Sequence, residues 1–493
     1  MKPRIFLFIF SLFFLITSVG TPVGATPLKK KHKKKHKQTE QKISLPSDEN
    51  SVPPSTEKSK AELKKERKER KKKEKEARKE LKREKKEKKK QEKAEKKKKG
   101  KKELEPKAAP APQPVTLKKW SDIEYPTSQR KQSYRIEVLI PMYLDELVKN
   151  GYPVKEIPEK ALAGLDFYKG LLIAADSLKK AGFNLDIFVH DISSLNESMD
   201  LLLKKHALDT ADLIISTALG NDISALASFV RQKGVNCVSA ISAIDGKVID
   251  NKYFTTTEPT NHTYSDVIKK DIAAHKLTKR PLLIYRTLNP ADAQLAPYFI
   301  DKAGNEIFTM MLANKVPDRA TLKNAIDTAG ANLLCVPIND VKFLDSLFGT
   351  LRRGFPAATF TVYGFPNQFA KYIKSASATY NQFTFRLPVS FGDNLNGPVF
   401  KYIDTAFSNE YGGHAGEFVC RGFESLYWHA NLLKRYGTIY NTHYLDIETA
   451  PFTKFEITPI WDTKYGNVDY FENKKVLFKE IHGGQLKYSE ITD

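Results

Sequence analysis

From residue 134 onward, the sequence alternates short apolar runs with longer segments that carry apolar residues on one face. The first run, 134–141, reads YRIEVLIP and ends at a proline. The next segment, 161–181, repeats Leu165, Leu172 and Leu178 at a helical spacing, which places them on one face of a helix. Runs rich in Val, Ile and Leu, each followed by a helical segment, predict parallel strands that helices cover on both faces.

The predicted elements form two successive series. In the first series, strands are predicted at 134–141, 183–189, 211–216 and 236–242, and helices at 161–181, 195–206 and 221–233. In the second series, helices are predicted at 263–275, 293–302, 319–328 and 341–352, and strands at 281–285, 307–312, 331–338 and 358–363. Helices at 397–411 and 417–436 and antiparallel strands within 452–488 follow. Two such series predict an α/β protein with two doubly wound parallel-sheet lobes.

Charge is distributed unevenly along the 493 residues. The whole chain has 81 Lys and Arg residues against 58 Asp and Glu residues, a formal net charge of +23. Residues 1–120 contain 40 of the basic and 16 of the acidic residues, so this quarter has a net charge of +24 and the remainder has −1. The basic character therefore belongs to an N-terminal tail, and the α/β region is electrostatically ordinary.

The first 25 residues have the order of a secretory signal. Lys2 and Arg4 precede the apolar run 5–16, and the small residues 23–25 follow it. This order predicts cleavage after residue 25 and an exported protein, in the periplasm or cell envelope. An uncleaved membrane anchor is the alternative, although the run is short for a hydrocarbon core of about 30 Å.

Residues 26–132 are predicted to be a tether rather than part of the fold. Residues 26–56 are basic and polar, which predicts disorder. Residues 57–105 contain 27 Lys and Arg and 13 Glu residues, many of them paired four residues apart, which predicts a solvated single helix. The Pro-rich stretch within 106–132 predicts a linker. We expect the tether to contribute little to the stability of the fold, and 26–105 to bind an anionic envelope polymer.

The chain lacks the motifs of the common catalytic and cofactor sites. No Gly-x-Ser-x-Gly, His-Glu-x-x-His, phosphate-loop or Gly-x-Gly-x-x-Gly motif occurs. Cys237, Cys335 and Cys420 lie in apolar segments and fit no metal motif, so we interpret them as buried small side chains. His190 and Asp191 end a strand, where adjacent side chains point to opposite faces, so a catalytic pair is not expected. We predict a protein that is not an enzyme and uses no cofactor or metal.

Several segments of the α/β region resemble the type I periplasmic binding proteins, in particular the leucine-binding and receptor ligand-binding branch. The segments that carry the resemblance are 134–141, 165–191 with Gly170 and a final Asp191, 213–222 with 236–242, 413–437 and 474–490. The resemblance covers 133–493. It implies a first lobe at 133–258 plus 389–440, a second lobe at 259–388, and a C-terminal β segment at 441–493 that completes the two-lobe module.

The resemblance also implies a ligand site between the lobes, at loops that follow the carboxyl ends of the strands. In the leucine-binding branch, hydroxyls and backbone groups of the first lobe hold the carboxylate and amine of the ligand. The matching positions in this sequence are Ser216, Thr217, Gly220, Asn221, Ser239 and Ser242. Short hydroxyl side chains and a glycine suit an anion at the start of a helix. Capping of the helix that begins at Asn221 is the alternative.

The second lobe departs from the pattern of this branch. Relatives often have an Asp-x-x-Tyr-Gly motif where this chain reads YRTLNPADA at 285–293, and a carboxylate where it reads TVYGFPNQF at 361–369. The residues at strand ends that we predict to contact the ligand instead are Arg286, Asn339, Tyr363 and Phe365. The missing acidic residue counts against a free amino acid, and an arginine with aromatic residues suits a carboxylate or a saccharide. The choice among amino acid, carboxylate and saccharide stays open. The alternative is that Arg286 contacts only solvent.

These features predict an exported solute-binding protein that captures a small polar ligand between its lobes by hinge closure, with a membrane transporter as a partner. The alternative is a ligand-free domain that interacts with envelope proteins and is tethered to the cell wall by its basic segment. Nucleic acid is not expected as a partner. Residues 57–105 have no aromatic side chain for base stacking, and export removes the opportunity.

Overall fold

The computed structural model describes residues 123–149, 152–242, 244–275, 277–300, 307–366, 368–369, 371–372, 380–392, 397–444, 453–462 and 466–490. The predicted signal peptide (1–25), basic segment (26–56), charged helix (57–105) and most of the predicted linker (106–132) lie outside the described residues. Every described residue belongs to a single compact unit within 114–493.

Strands and helices alternate through two lobes, as the apolar pattern predicts. Lobe 1 contains, in chain order, β1 (Tyr134–Ile140), α1 (Leu144–Leu147), β2 (Val148–Lys149), β3 (Tyr152–Pro153), α2 (Glu159–Lys180), β4 (Leu185–Asp191), α3 (Met199–Lys204), β5 (Leu213–Ser216), α4 (Asn221–Lys233), β6 (Asn236–Ser239) and β7 (Phe254–Thr256). Lobe 2 contains α5 (Asn261–Ala274), β8 (Leu282–Tyr285), α6 (Pro290–Leu295) with a 3-10 turn (Ala296–Tyr298), β9 (Thr309–Leu312), α7 (Arg319–Ala325), β10 (Ala331–Cys335), α8 (Val341–Gly354), β11 (Thr359–Tyr363) and β12 (Phe383–Val389). The chain then forms α9 (Pro398–Tyr411), α10 (Glu417–Tyr436), a 3-10 turn (Asn441–His443), β13 (Ile457–Trp461), β14 (Val468–Asn473), β15 (Leu477–His482) and β16 (Gln485–Ser489).

Lobe 1 is built on a seven-stranded sheet in the order β4-β1-β5-β6-β7-β14-β13. Neighbouring strands are parallel except for the pair β13 and β14. Leu213 and Ile215 of β5 share a core with Phe167 of α2 and Val419 of α10, whereas Ile214 between them packs with α3 and α4. Helices therefore cover both faces of the sheet, which explains the near-continuous apolar runs of its strands.

Lobe 2 has a second seven-stranded sheet, in the order β9-β8-β10-β11-β12-β15-β16. Its first five strands are parallel, and β15 and β16 continue the sheet in antiparallel pairs. The first five strands of both lobes have the same order, with the first strand between the second and the third, as in doubly wound folds. The predicted fold class is confirmed. The strand order reverses between β1 and β5 in lobe 1 and between β8 and β10 in lobe 2.

Two strands that the apolar pattern did not predict, β7 and β12, are the fifth strands of their sheets. β7 has only three residues. β12 alternates buried Phe383 and Phe385 with Thr384 and Arg386, because its second face contacts a polar side chain of α5 rather than an apolar core. Both strands lead into crossings between the lobes. The chain crosses at 257–260, again after 389, and a third time at 474–476.

The described part of the predicted linker packs against lobe 1. The hydroxyl of Ser128 donates to the Tyr436 carbonyl at 2.6 Å, the Gln129 backbone N–H donates to the Thr438 hydroxyl at 3.1 Å, and the Thr438 backbone N–H donates to the Gln129 carbonyl at 3.0 Å. The ring of Tyr125 lies edge-on at 5.8 Å from that of Tyr253, a residue that precedes β7. Residues 123–131 therefore make specific contacts at the C-terminal end of α10 and near β7, although none of them is fully buried, and the small contribution of the tether to stability stays a prediction.

A chain that begins at Ser133 is expected to unfold at a lower temperature than one that begins at Ile123. It loses several hydrogen bonds, each contributing about 0.5–1.5 kcal/mol, and the ring contact of Tyr125. Calorimetry of the two chains and of the full-length protein measures the difference. The chain that begins at Ile123 should match the full-length protein, and equal midpoints for all three would contradict a role for 123–131.

The three cysteines are unpaired and buried, which confirms their interpretation as small core side chains. Burial raises the pKa of the Cys237, Cys335 and Cys420 thiols, so they stay protonated at neutral pH. Among the described residues, no helix combines the length and the apolar content that crossing a membrane requires.

Candidate functional site

The predicted ligand residues of lobe 1 lie at the carboxyl edge of its sheet, near the point where the strand order reverses. The Thr217 amide donates to the Leu139 carbonyl of β1 at 2.9 Å, and the Ser216 hydroxyl accepts from the Ala218 amide at 3.1 Å. In the neighbouring strand, the Ser239 hydroxyl donates to the Ser242 carbonyl at 3.2 Å. The structure thus brings the four hydroxyl residues together on adjacent strand ends.

Two details of this edge bear on anion binding. The buried Ser242 hydroxyl has no hydrogen-bond partner among the described residues. Gly220 precedes α4 with a φ of 61°, and α4 has no side-chain cap, so the capping alternative for this edge is not supported. Asn221 is exposed at the first position of the helix. The start of α4 is therefore open to solvent, as a ligand site requires.

Arg286 of lobe 2 is held by two carboxylates of its own lobe. Its Nε donates to Asp292 Oδ2 at 2.5 Å and its Nη1 donates to Asp340 Oδ2 at 3.1 Å, while its guanidinium lies 4.8 Å from the centre of the Phe343 ring. The residue is only 7% exposed, so it does not simply contact solvent. A ligand anion at Arg286 has to compete with both carboxylates. Asn339 is exposed beside this group, and its backbone N–H donates to Asp292 Oδ1 at 2.9 Å.

Tyr363 lies inside lobe 2. It is 0% exposed, and its hydroxyl donates to Asp271 Oδ2 of α5 at 2.6 Å. Arg386 of β12 donates to both oxygens of Asp271 at 2.9 Å, so the carboxylate serves two donors. Burial and the Asp271 charge raise the pKa of Tyr363. Tyr363 contacts α5 and has no exposed surface for the solute that we predicted it to contact.

Phe365 lies close to the place where the lobes touch. Its ring centre is 5.9 Å from that of Tyr298, whose hydroxyl donates to Asp245 of lobe 1 at 3.2 Å. The Asn261 amide, at the start of α5, donates to the same carboxylate oxygen at 2.8 Å. Burial raises the pKa of Asp245, although these hydrogen bonds partly offset the effect. Asp245 and Tyr298 therefore join the two lobes beside the first crossing.

A cavity of about 300 Å³ lies between the lobes, next to the crossings. Its wall includes Ile241, which follows β6 in lobe 1, and Pro366 and Leu387 of lobe 2. Glu258 of the first crossing and Ser390 of the second crossing also line it. Because Ile241 and Pro366 follow strands of different sheets, the carboxyl edges of both sheets face this cavity.

A buried arginine, Arg421 of α10, links lobe 1 to the first two crossings. Its Nη2 donates to Ser390 Oγ at 2.7 Å and lies 3.0 Å from Glu258 Oε2, and its Nε donates to Glu417 Oε1 at 2.8 Å. The Ser390 and Tyr264 hydroxyls donate to Glu258 at 2.6 Å and 2.5 Å. Burial opposes the charge of Arg421, but the carboxylates of Glu258 and Glu417 outweigh it and raise the pKa of the guanidinium. Arg421 and Glu258 thus form a buried ion pair at the crossings between the lobes.

The first and third crossings are joined by two residues at the end of β14. Glu472, which is buried, accepts hydrogen bonds from the Thr260 amide at 2.8 Å and from the Thr263 hydroxyl at 2.5 Å. The Asn473 side-chain amide donates to the Thr257 carbonyl at 3.1 Å. With the Arg421 pair, these contacts connect all three crossings through side chains.

His190 and Asp191 contact different parts of lobe 1. His190 Nε2 lies 2.8 Å from the buried Glu137 carboxylate, whereas Asp191 accepts hydrogen bonds from the Met142 and Leu144 amides at 2.8 Å. The two side chains point to opposite sides, as the strand geometry predicts. Asp191 holds the loop after β1, which is a structural role. In the part of the chain that the structure describes, no group of three or more His, Cys, Asp or Glu side chains is placed to hold a metal ion.

Glu258, Ser390 and Arg421, which meet at the crossings, were not among the residues predicted from the sequence. One signal was present, because Arg421 interrupts the apolar stretch FVCRGF four residues after Glu417. An arginine within such a stretch is rarely buried unless it is paired. The two other residues stand at the implied lobe boundaries, but their pairing with Arg421 requires the folded chain.

No protein-family model matches this sequence, and no curated protein matches it. Solved structures do resemble the described fold. A Rhodospirillum rubrum structure named for branched-chain amino acid ABC transport is 12% identical, covers 72% of this chain and 99% of its own, and superposes with a TM-score of 0.53. An ABC-type branched-chain amino acid transporter from Rhodopseudomonas palustris is 11% identical, covers 73% of this chain and 96% of its own, and has a TM-score of 0.50.

At these identities the likeness establishes the fold. It agrees with the two seven-stranded sheets, their shared strand order and the three crossings. The resemblance that the sequence suggested is confirmed at this level, and the chain has the type I periplasmic binding protein fold of the branched-chain amino acid ABC substrate-binding proteins.

Proposed function

We propose that the protein is an exported solute-binding protein that holds a small polar solute between its two lobes and closes around it. The observation that carries this proposal is the cavity of about 300 Å³, whose wall comes from both lobes and from two crossings. Ligand pockets in proteins begin at about 300 Å³, so the space suits a solute of amino-acid size. A solute in contact with both lobes favours the lobe arrangement in which it makes the most contacts.

The fold supports this proposal, since both similar structures are named for branched-chain amino acid transport. We extend to this chain only the broader class, a small solute that is passed to a membrane transporter. Amino acids, carboxylates and saccharides are all candidates. Export directed by residues 1–25 and binding of an anionic envelope polymer by 26–105 are parts of the proposal, and a catalytic role is not.

The test is a thermal-shift screen of the full-length protein with amino acids, dicarboxylates, saccharides and muropeptides. A ligand at 100 times its Kd adds about 2.7 kcal/mol to the free energy of unfolding, a shift of several degrees. Ile241→Trp fills the cavity and should abolish the shift, since Ile241 is half-buried at the cavity wall. Thr217→Val and Arg286→Ala test whether the solute binds instead at the strand ends, where these residues were predicted to contact it. X-ray scattering should show a smaller radius of gyration with the ligand.

The outcomes separate the two candidate sites. Loss of the shift in Ile241→Trp alone supports the cavity between the lobes, whereas loss in Thr217→Val or Arg286→Ala alone supports the strand ends. No shift with any compound, together with one unchanging radius of gyration, would overturn the proposal.

A second function, docking of an envelope protein, is favoured by one observation. Large apolar side chains are exposed at the loops that follow strands in both lobes, with Leu195 85%, Leu219 65% and Leu288 81% exposed. Leu195 follows β4, Leu219 follows β5 and Leu288 follows β8, so all three lie at carboxyl edges. Exposed large apolar side chains at these edges are candidates for an interaction surface. A rigid protein that binds no solute, the outcome that overturns the first proposal, supports this one.

A further inference from the structure

One row of residues crosses three strands of lobe 2 and faces the cavity of about 300 Å³ between the lobes, which is called the hinge cavity below. Leu387 of β12 is opposite Lys479 of β15, and Lys479 is opposite Tyr488 of β16. Residues directly opposite in antiparallel strands project from the same face of the sheet. All three line the cavity. The next row, which contains Glu480 and Lys487, projects from the other face.

Lys479 is a cation of this wall that forms no ion pair within 4 Å among the described residues. It is half-buried, and its side chain makes no hydrogen bond with the described residues. Arg421, by contrast, is held by Glu258 and Glu417. A partly buried ammonium without a partner gains free energy when an anion binds beside it, because its lost hydration is replaced.

Tyr488 places a neutral hydroxyl beside Lys479. Its ring rests on the backbone of Gly392, where a β-carbon would lie 2.2 Å from the ring. Burial and the nearby Glu417 raise the pKa of Tyr488, so its hydroxyl stays protonated and can donate a hydrogen bond. Gly392 belongs to the second crossing, so the position of Tyr488 depends on the hinge.

The rest of the cavity wall is mixed. Glu258, Glu417 and Ser390 are held in contacts with Arg421, and the other side chains are largely apolar. Ile241, Val389 and Phe418 contribute aliphatic and aromatic surface from lobe 1 and from the end of β12. Glu417 and Phe418 are the first two residues of α10, a helix whose start has no side-chain cap. The N–H groups of such a first turn lack acceptors within the helix. The wall thus offers a cation and a hydroxyl to an anionic group of a solute, and apolar surface to the rest of that solute.

We propose that the hinge cavity binds a small monocarboxylate with an apolar body, with Lys479 as the counter-ion of the carboxylate and Tyr488 as a hydrogen-bond donor to it. This inference rests on the proposed solute-binding function and specifies the class of solute. The apolar body lies against Ile241 and Phe418, and binding in this position brings β15 and β16 of lobe 2 into contact with α10 of lobe 1 through the solute.

The test is calorimetric titration of the full-length protein with 3-methylbutanoate and 3-phenylpropanoate, and with the corresponding neutral amides. The carboxylates should bind and the amides should bind at least about tenfold more weakly, because a charged hydrogen bond is lost. Lys479→Met should weaken carboxylate binding by about tenfold to a hundredfold, and Tyr488→Phe by a smaller factor. Higher salt should weaken binding to the wild type and not to Lys479→Met.

The matched control is Lys487→Met. Lys487 is an exposed lysine on the adjacent strand, in the row that projects from the opposite face, and this variant should bind as the wild type does. Lys479→Arg keeps the charge and should retain part of the affinity, which separates loss of charge from loss of folding.

Two results would overturn the inference alone. Equal affinity for carboxylate and amide would exclude recognition of charge, and unchanged binding in a folded Lys479→Met variant would exclude Lys479. Both results leave a solute between the lobes and therefore leave the proposed function standing. Absence of binding by carboxylates, amides and every class in the thermal screen would remove the proposed function and this inference together.

Discussion

Replacing Arg421 by methionine is expected to lower the free energy of unfolding by about 3–5 kcal/mol. Methionine occupies much of the space of the arginine stem, but it leaves the Glu258 carboxylate, whose side chain is 14% exposed, without its cation. The loss comes mainly from this uncompensated buried charge, since the Ser390 and Tyr264 hydroxyls that remain are neutral donors. Thermal unfolding should shift by many degrees, because 1 kcal/mol corresponds to about 2–4 °C in domains of about 150–250 residues.

Arg435→Met is the matched control for this prediction. Arg435 lies in the last turn of the same helix and is exposed, so its replacement should change the stability by less than about 0.5 kcal/mol. Adding Glu258→Gln to Arg421→Met should recover part of the loss, because the unpaired carboxylate is then absent. Equal unfolding midpoints for Arg421→Met and Arg435→Met would contradict the buried ion pair, and strict additivity with Glu258→Gln would show that the two residues do not interact.

Replacing Gly422 by alanine is expected to destabilise lobe 1 by about 1–3 kcal/mol or more. A β-carbon on Gly422 would lie 2.0 Å from the Phe167 carbonyl oxygen of α2, and one on Gly170 would lie 1.9 Å from the Val419 carbonyl oxygen of α10. The two helices therefore approach each other through glycine on both sides. The atoms in the way belong to helix backbone, so relief requires the helices to separate rather than a side chain to rotate.

Gly349→Ala provides the control. Gly349 lies within α8, and the nearest atom to its β-carbon is the flexible Arg353 guanidinium at 3.2 Å. Alanine is favoured over glycine in a helix by about 1 kcal/mol, so the urea midpoint of this variant should stay the same or rise. A midpoint for Gly422→Ala as high as that of Gly349→Ala would show that the helices can accommodate the added methyl group.

Much of the fold follows from patterns that are local in the sequence. Strands such as β5 are covered on both faces, so Leu213, Ile214 and Ile215 are all apolar, and the pattern identifies the strand without knowledge of its neighbours. β12 was not predicted because only one of its faces is apolar. Arg386 on the other face pairs with the Asp271 carboxylate of α5, which is distant in the sequence. Gly170 stood out as part of a family resemblance, but its reason is the carbonyl of Val419 across the helix contact.

The candidate site was predictable only in part. Ser216 and Ser239 end β5 and β6, and Thr217 and Ser242 follow these strands, which are neighbours in the sheet, so the grouping of the four residues follows from the strand order. The ion pairs of Arg286 could not be predicted from the strand order. Asp292 is visible six residues later in the sequence, yet only the packed lobe shows that it occupies the donors of the arginine.

The sequence alone established an alternation of strands and helices in two series, a separate basic N-terminal region and the resemblance to a two-lobed fold. The first two depend on composition or on periodicity within a few turns of chain, and burial imposes that periodicity locally. The resemblance depends on segments that match a known family. The tertiary structure decided which charges meet at the crossings between the lobes, since Arg421, Glu258 and Ser390 come from three separate segments. It also decided that Lys479 and Tyr488 share a cavity wall, because strand register and the crossings between lobes are set by packing over the whole module and not by neighbouring residues.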